Sequence, residues 1–159
     1  MAVDMYLRLD GIKGEAQDSK HKGEIDILSW SWGVQQSGTM HQGGGGGSGK
    51  ASFHDLTVTK YVDKSTPLLF TACATGEHIS KGNLVVRKAG KVQHEYIKIE
   101  LTDCLISSIS TGGSGGEDRL TESISINFGH VTVDYLPQKA DGSLEGTVTF
   151  KYNIAQNTV

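Results

Sequence analysis

Residues 120 to 135 read LTESISINFGHVTVDY. Leu120, Glu122, Ile124, Ile126 and Phe128 occupy one parity, and Thr121, Ser123, Ser125 and Asn127 the other. Successive side chains of an extended strand point to opposite faces, so this is the pattern of a β-strand with one face toward a core. At Gly129-His130 the parity shifts, and Val131, Val133 and Tyr135 become the apolar set. A bulge is expected there, because one extra residue in a strand moves every later side chain to the other face.

The same period runs outward from this stretch in both directions. Upstream, Ile97, Ile99, Leu101, Leu105 and Ile109 alternate with Lys98, Glu100, Thr102 and Ser108, and the cluster GGSGGED at 112 to 118 separates them from Leu120. Leu84 to Lys88 forms a further strand, with Gly90 at the turn. Downstream, Pro137 to Gly142 is a turn, and Val148, Phe150, Tyr152 and Ile154 give a closing strand. At the N-terminus Val3, Met5, Leu7 and Leu9 alternate with Asp4, Tyr6 and Arg8, followed by a charge-rich loop at 10 to 23. Ile25 and Ile27 then share one parity, while Leu28, Trp30, Trp32 and Val34 take the other, which predicts a bulge or sharp bend at Ile27-Leu28.

Two segments break the pattern. Residues 37 to 50, SGTMHQGGGGGSGK, are half glycine, which carries a high backbone entropy cost and offers no side chains to pack. A long mobile loop is expected there, with no strand or helix of its own. A strand then carries Phe53, Leu56 and Val58 to about Val62. One helix follows: Thr66 suits the N-cap, Pro67 the first helical position and Gly76 the far end. Leu68, Leu69, Ala72 and Cys73 share its expected buried face. Eight or nine strands with one short helix make an all-β fold, two sheets forming a barrel-like sandwich, in a single domain over 1–159.

Composition narrows the function. The 159 residues suffice to bury roughly 70% of the unfolded surface, so no metal or disulfide staple is required. Lys+Arg at 15 against Asp+Glu at 18, with a net charge of −3, is not the footprint of a nucleic-acid binder. The N-terminal MAVDMYLRLD lacks the basic and apolar regions of a signal peptide, and no run approaches the ~20 apolar residues of a membrane span. No membrane insertion is expected. Cys73 and Cys104 lack metal-ligand spacing and read as two buried free thiols or one disulfide.

Motifs for catalysis are weak. Gly44 to Lys50 satisfies G-x-x-x-x-G-K, but Ala51 stands where a phosphate-binding loop needs Ser or Thr for Mg²⁺, and strand-like alternation follows where a helix is required. His21, His41, His54, His78, His94 and His130 contain no close pair of the kind that holds a metal. Glu24 and Asp26 share a parity, as a proton-sharing dyad would, although like charges on a strand usually face solvent. No serine lies in a G-x-S-x-G elbow. Neither an enzyme nor a cofactor is expected. The informative residues are instead Ser29, Ser31 and Gly33, and Thr121 to Asn127, whose parities are small and polar: a solvated sheet face, or a wet surface that meets other molecules.

Glu24 to Gly33, EIDILSWSWG, resembles the Hcp family, the haemolysin-coregulated proteins of the bacterial type VI secretion tube. The resemblance continues through TKYVDKSTP (59 to 67), ACATG (72 to 76), RKAG (87 to 90), GGSGGEDRLTE (112 to 122) and PQKADG (137 to 142). It implies a self-associating subunit that forms six-membered rings stacked into a hollow tube. The tube is driven by a contractile sheath, capped by a spike protein and loaded with small effector proteins. The implied location is the cytoplasm before firing and the extracellular space or a target cell afterwards.

On this sequence the resemblance places Ser29 and Ser31 at the lumen wall. It assigns the segment containing Met40, His41, Gly43, Gly44, Gly45, Gly46, Gly47 and Lys50 to contact with a neighbouring subunit or ring. Ring closure would also cover the edges of an open sheet, although a monomer can protect edges with charges such as Lys60, Lys98 and Lys151. The reading from another class is a monomeric β-sandwich that binds carbohydrate or protein through Trp30 and Trp32.

Overall fold

The computed structural model describes residues 3–38, 40–41 and 48–159; of the side chain of Ser48 nothing is stated. Gly43 to Gly47 lie outside the described residues. Elements follow in the order β1 (Val3–Leu9), β2 (Ile25–Asp26), β3 (Ser29–Ser31), β4 (Val34–Gly38), β5 (Ser48–Phe53), β6 (Leu56–Tyr61), α1 (Thr66–Thr75), β7 (Ile79–Lys88), β8 (Glu95–Thr111), β9 (Thr121–Tyr135) and β10 (Val148–Asn153). Eight strands make one antiparallel sheet in the order β2-β1-β7-β8-β9-β6-β3, with β10 also on β9, while β4 and β5 pair as a separate hairpin.

The two ends of that order are joined by only two residues, Ile27 and Leu28. The Ile27 N–H donates to Met5 O at 3.0 Å and the Leu28 N–H to Thr59 O at 2.7 Å. The expected bend is therefore where the chain leaves β1 and joins β6, which curls the sheet on itself as an all-β, barrel-like body. Its core draws on every wall, with Leu7, Ile25, Leu56, Val58, Leu84, Ile124 and Ile126 all inaccessible to solvent.

The bulge expected at Gly129-His130 is not present. Thr102 pairs with His130 and Cys104 with Phe128, without a shift of register. Instead Asp103, opposite Gly129, takes a left-handed φ of 56°. Both strands change face together: Leu101 and Cys104 are buried on one, Phe128 and Val131 on the other. At this level β9 exchanges its second neighbour, pairing with β6 through Ile126 and with β10 from His130. Leu105, expected in the core, is consequently exposed. The actual bulge is in β8 at Ser107, between Ile106, which pairs with Ile126, and Ser108, which pairs with Ser125.

The helix begins at Thr66 with Ser65 as its cap, one residue earlier than expected, and ends on Gly76 at φ 65°. Leu69 and Ala72 are fully buried and Cys73 half-buried, but Leu68 is exposed. Pro67 and Gly76 mark the ends of a helix well, whereas which side of it meets a sheet depends on the sheet.

The glycine-rich segment also differs from expectation at both flanks. Ser37 and Gly38 continue β4, and Ser48 to Lys50 begin β5, with Gly38 paired to Ser48. Ladder hydrogen bonds propagated from Val34↔Phe53 extend the hairpin into residues with little strand preference of their own.

Tyr6 is buried although it lies on the polar parity of β1. The loop at 10 to 23 covers it: the His21 ring stacks on Tyr6 at 4.5 Å, and Arg87 bridges Tyr6 and Asp18. An added Cβ at Gly14 would stand 2.6 Å from Glu24 O, so the loop folds back too closely for any side chain there.

Candidate functional site

Ser29 pairs with Thr59 and Ser31 with Thr57 across β3 and β6. Thr57 pairs in turn with Ser125 and Thr59 with Ser123 across β6 and β9. Ser125 and Ser123 then meet Ser108 and Ser110 of β8. Directly paired residues of an antiparallel sheet point to the same side, and neighbouring strands lie ~4.8 Å apart. Eight hydroxyls from four strands therefore share one face, as two rows of Ser, Thr, Ser and Ser. None is buried: Ser29, Ser31, Ser108 and Ser110 are exposed, and the other four are half-buried. Thr57 Oγ1 and Ser125 Oγ lie 3.3 Å apart.

None of these eight positions carries a charge, and charged side chains lie at the ends and on the underside of the face. At one end Asp55 accepts from Ser107 Oγ at 2.6 Å and from Asn127 Nδ2 at 2.9 Å, which occupies both carboxylate oxygens. At the other end the Arg119 guanidinium lies 3.7 Å from the centroid of the Tyr61 ring.

Beneath it, Lys60 and Glu122 are both buried and joined at 2.8 Å. Lys60 Nζ also donates to Tyr61 O at 2.9 Å and lies 3.1 Å from Asp63 Oδ1, while the Thr66 hydroxyl donates to Glu122. Lys60 is thus no edge charge. It sits in β6, between β9 and β3, and turns inward to anchor the start of α1. Lys98 is likewise on an inner strand, and Lys151 alone of the three lies on an edge strand, β10.

Both lateral edges of the hydroxyl face are open among the described residues. β3 pairs only with β6. The pairing of β7 with β8 ends at Cys104, so β8 from Leu105 to Thr111 pairs with β9 alone. Beyond β3, the β4–β5 hairpin carries Met40, exposed at 80%, together with exposed His41 and Lys50. Ser29 and Ser31 are brought together on the face; Met40, His41 and Lys50 belong to the hairpin region instead.

Other sequence candidates have plainer surroundings. Lys50 lies within β5 and strand follows it, so the helix N-terminus that a phosphate cradle requires is absent. Glu24 is tied to His21 Nδ1 at 2.8 Å, and His21 Nε2 to Glu95 at 2.8 Å. Asp26 stands apart from this cluster, opposite Tyr6, where burial, with Asp63 adding to it, raises its pKa. No group of three metal-ligating side chains occurs among the described residues. Cys73 and Cys104 are free thiols, and burial pushes the Cys104 pKa up to about 11. Trp30 packs against the core, and Trp32 donates its indole N–H to His54 O at 2.9 Å within a cluster containing Phe53, Phe128 and Phe150. Such packed rings do not form the flat exposed platform that a sugar stacks upon.

Sequence reasoning missed Lys60–Glu122, Arg87–Asp18 and His21 as buried polar clusters. Glu122 and Lys60, each a charge in an otherwise apolar parity, were the signals available.

Comparison with known proteins agrees with this geometry. The family model described as "Type VI secretion system effector, Hcp" matches residues 6–135. Protein hcp1 of Pseudomonas aeruginosa is 56% identical over 159 residues, 99% of this chain and 98% of that protein. Among solved structures, Hcp1 from Salmonella typhimurium superposes with a TM-score of 0.82 at 40% identity, covering 99% of each chain. A structure described as a type six secretion system protein superposes at 0.93 with 31% identity, again over 99% of each chain.

Proposed function

The chain belongs to the Hcp family of type VI secretion proteins, and from that premise we propose that it is the structural subunit of a secretion tube, assembling as homohexameric rings that stack, are exported and carry small effector proteins in the lumen. The observation that carries this reading is the uncharged hydroxyl face bounded by two open strand edges. Unpaired edges invite pairing with another chain unless they are covered.

Here the directions also suit closure. β8, β9, β6 and β3 alternate in direction, so β3 of one copy meets β8 of the next in antiparallel sense. That contact joins two different patches, and a head-to-tail contact closes into a ring when its rotation permits. Repeated around a ring, it would place Ser29, Ser31 and their six companions on one continuous inner wall, where effectors are held. The hairpin residues Met40, His41 and Lys50, with the adjoining glycines, then reach a neighbouring subunit or ring. The spike protein and the contractile sheath are the remaining partners of this reading, and export from the cytoplasm follows assembly. No catalytic role is proposed.

Light scattering coupled to gel filtration, with negative-stain imaging, tests it. Six-protomer particles with an open centre are expected. A strictly monomeric chain at micromolar concentration, with no rings on the grid, refutes the proposal.

A further inference from the structure

We infer that Asp55 is the positioning residue that sets the open β8 edge for assembly, by pinning the bulge at Ser107. The inference rests on the ring reading above, in which the strand from Leu105 to Thr111 meets β3 of the next copy. A bulge inserts an unpaired residue, locally disrupts the ladder and bends the strand, so the aim of the edge beyond it depends on how the bulge is held. In β8 that extra residue is Ser107; the residues beyond it, Ser108 to Thr111, form the open edge, and Ser108 and Ser110 among them lie on the hydroxyl face.

Asp55 lies in the two-residue gap between β5 and β6, just ahead of Leu56, which pairs with Ile126. One carboxylate oxygen accepts from the Ser107 hydroxyl at 2.6 Å and the other from the Asn127 amide at 2.9 Å. One side chain thereby ties the start of β6, the middle of β9 and the bulge of β8. Both bonds go to an ionised acceptor, the stronger kind of hydrogen bond. They hold one edge geometry out of those a bulged strand can adopt, and an edge held in advance loses less freedom when it pairs. The interior grips the strand on either side of the bulge, at buried Ile106 and at Ile109, which packs against the core, but not at the bulge itself. Ser107 and Ser108 are both exposed, so the bulge is held by the Asp55 contact and not by packing.

The test compares Asp55→Ala, Asp55→Asn and wild type by sedimentation velocity over a concentration series, with circular dichroism to report the protomer fold. Asp55→Ala should keep the protomer spectrum and move the ring–protomer midpoint to roughly tenfold higher concentration, the scale of one to two lost hydrogen bonds. Asp55→Asn should assemble close to wild type, because its carbonyl oxygen still accepts from Asn127 and its amide N–H donates to Ser107 Oγ. If Asp55→Ala does not fold, Ser107→Ala supplies the measurement, with a smaller shift in the same direction. Wild-type rings accompanied by unchanged Asp55→Ala assembly overturn this inference alone, as does an Asp55→Asn protein that assembles as poorly as Asp55→Ala. A wild type that is monomeric throughout overturns the ring reading and this inference with it.

Discussion

Lys60→Met is the substitution with the largest expected effect on stability. Lys60 and Glu122 have no solvent-exposed side-chain surface. The ammonium is held by Glu122 Oε1 at 2.8 Å, Tyr61 O at 2.9 Å and Asp63 Oδ1 at 3.1 Å. Methionine fills similar volume and supplies none of these contacts. Among the described residues Glu122 would then keep only the Thr66 hydroxyl, on Oε1. Stranding one charge of a buried pair costs about 3–5 kcal/mol, a large share of the 5–15 kcal/mol typical of a folded domain. For a chain of this length that lowers Tm by roughly 6–20 °C.

Thermal and urea unfolding at one fixed protomer concentration measure it, because assembly would otherwise make Tm depend on concentration. The double variant Lys60→Met/Glu122→Leu removes both charges and should recover most of the loss; Asp63 retains the Ser65 N–H at 2.9 Å. A single-variant loss below about 1 kcal/mol, or a double variant no more stable than the single, refutes the argument that an uncompensated buried carboxylate is what destabilises.

Asp18 is held down to a pKa of about 2, chiefly by its hydrogen bonds to Arg87. A depressed folded-state carboxyl stabilises above its unfolded pKa of about 3.9 and loses that contribution as pH falls through the folded value. Asp18→Asn should therefore flatten the stability curve between about pH 4 and pH 2, and an unchanged acid limb in urea titrations at those pH values contradicts this. Cys104, with its pKa near 11, should resist thiol reagents at neutral pH until the protein unfolds, which mass spectrometry of labelled peptides reads directly. Ser31→Gln should leave rings intact in negative stain and weaken capture of a lumenal effector in co-purification; unaltered capture by well-formed rings removes Ser31 from the wall.

Much of the fold was legible because strand periodicity is local. Alternation at Ile124, Ile126 and Phe128, and again at Leu7 and Leu9, reflects only backbone geometry and the need to bury apolar surface. The bend at Ile27-Leu28 was legible for the same reason. The bend at Asp103 was not, because the left-handed residue is an aspartate with no turn signal around it and its cause is the change of neighbours along β9. Leu105 and Leu68 are likewise apolar yet exposed, Leu105 because β8 changes face at Asp103 and Leu68 because the helix buries the side that carries Leu69 and Ala72.

The small polar parities of β3 and β9 could be read from the sequence, and the resemblance to a known family pointed to Ser29 and Ser31. Their union with Thr57, Thr59, Ser108 and Ser110 into one face follows from strand order, which no local pattern contains. Sequence by itself determined which residues could be strands, which faces could be wet and which family the chain resembles. Tertiary structure alone decided that β2 and β3 lie at opposite ends of one curled sheet, that Lys60 is buried against Glu122, and that among the described residues two edges stay open beside the hydroxyls. The physical reason is range: side-chain alternation is settled between adjacent residues, whereas pairing and charge burial are settled between residues as far apart in the chain as Lys60 and Glu122.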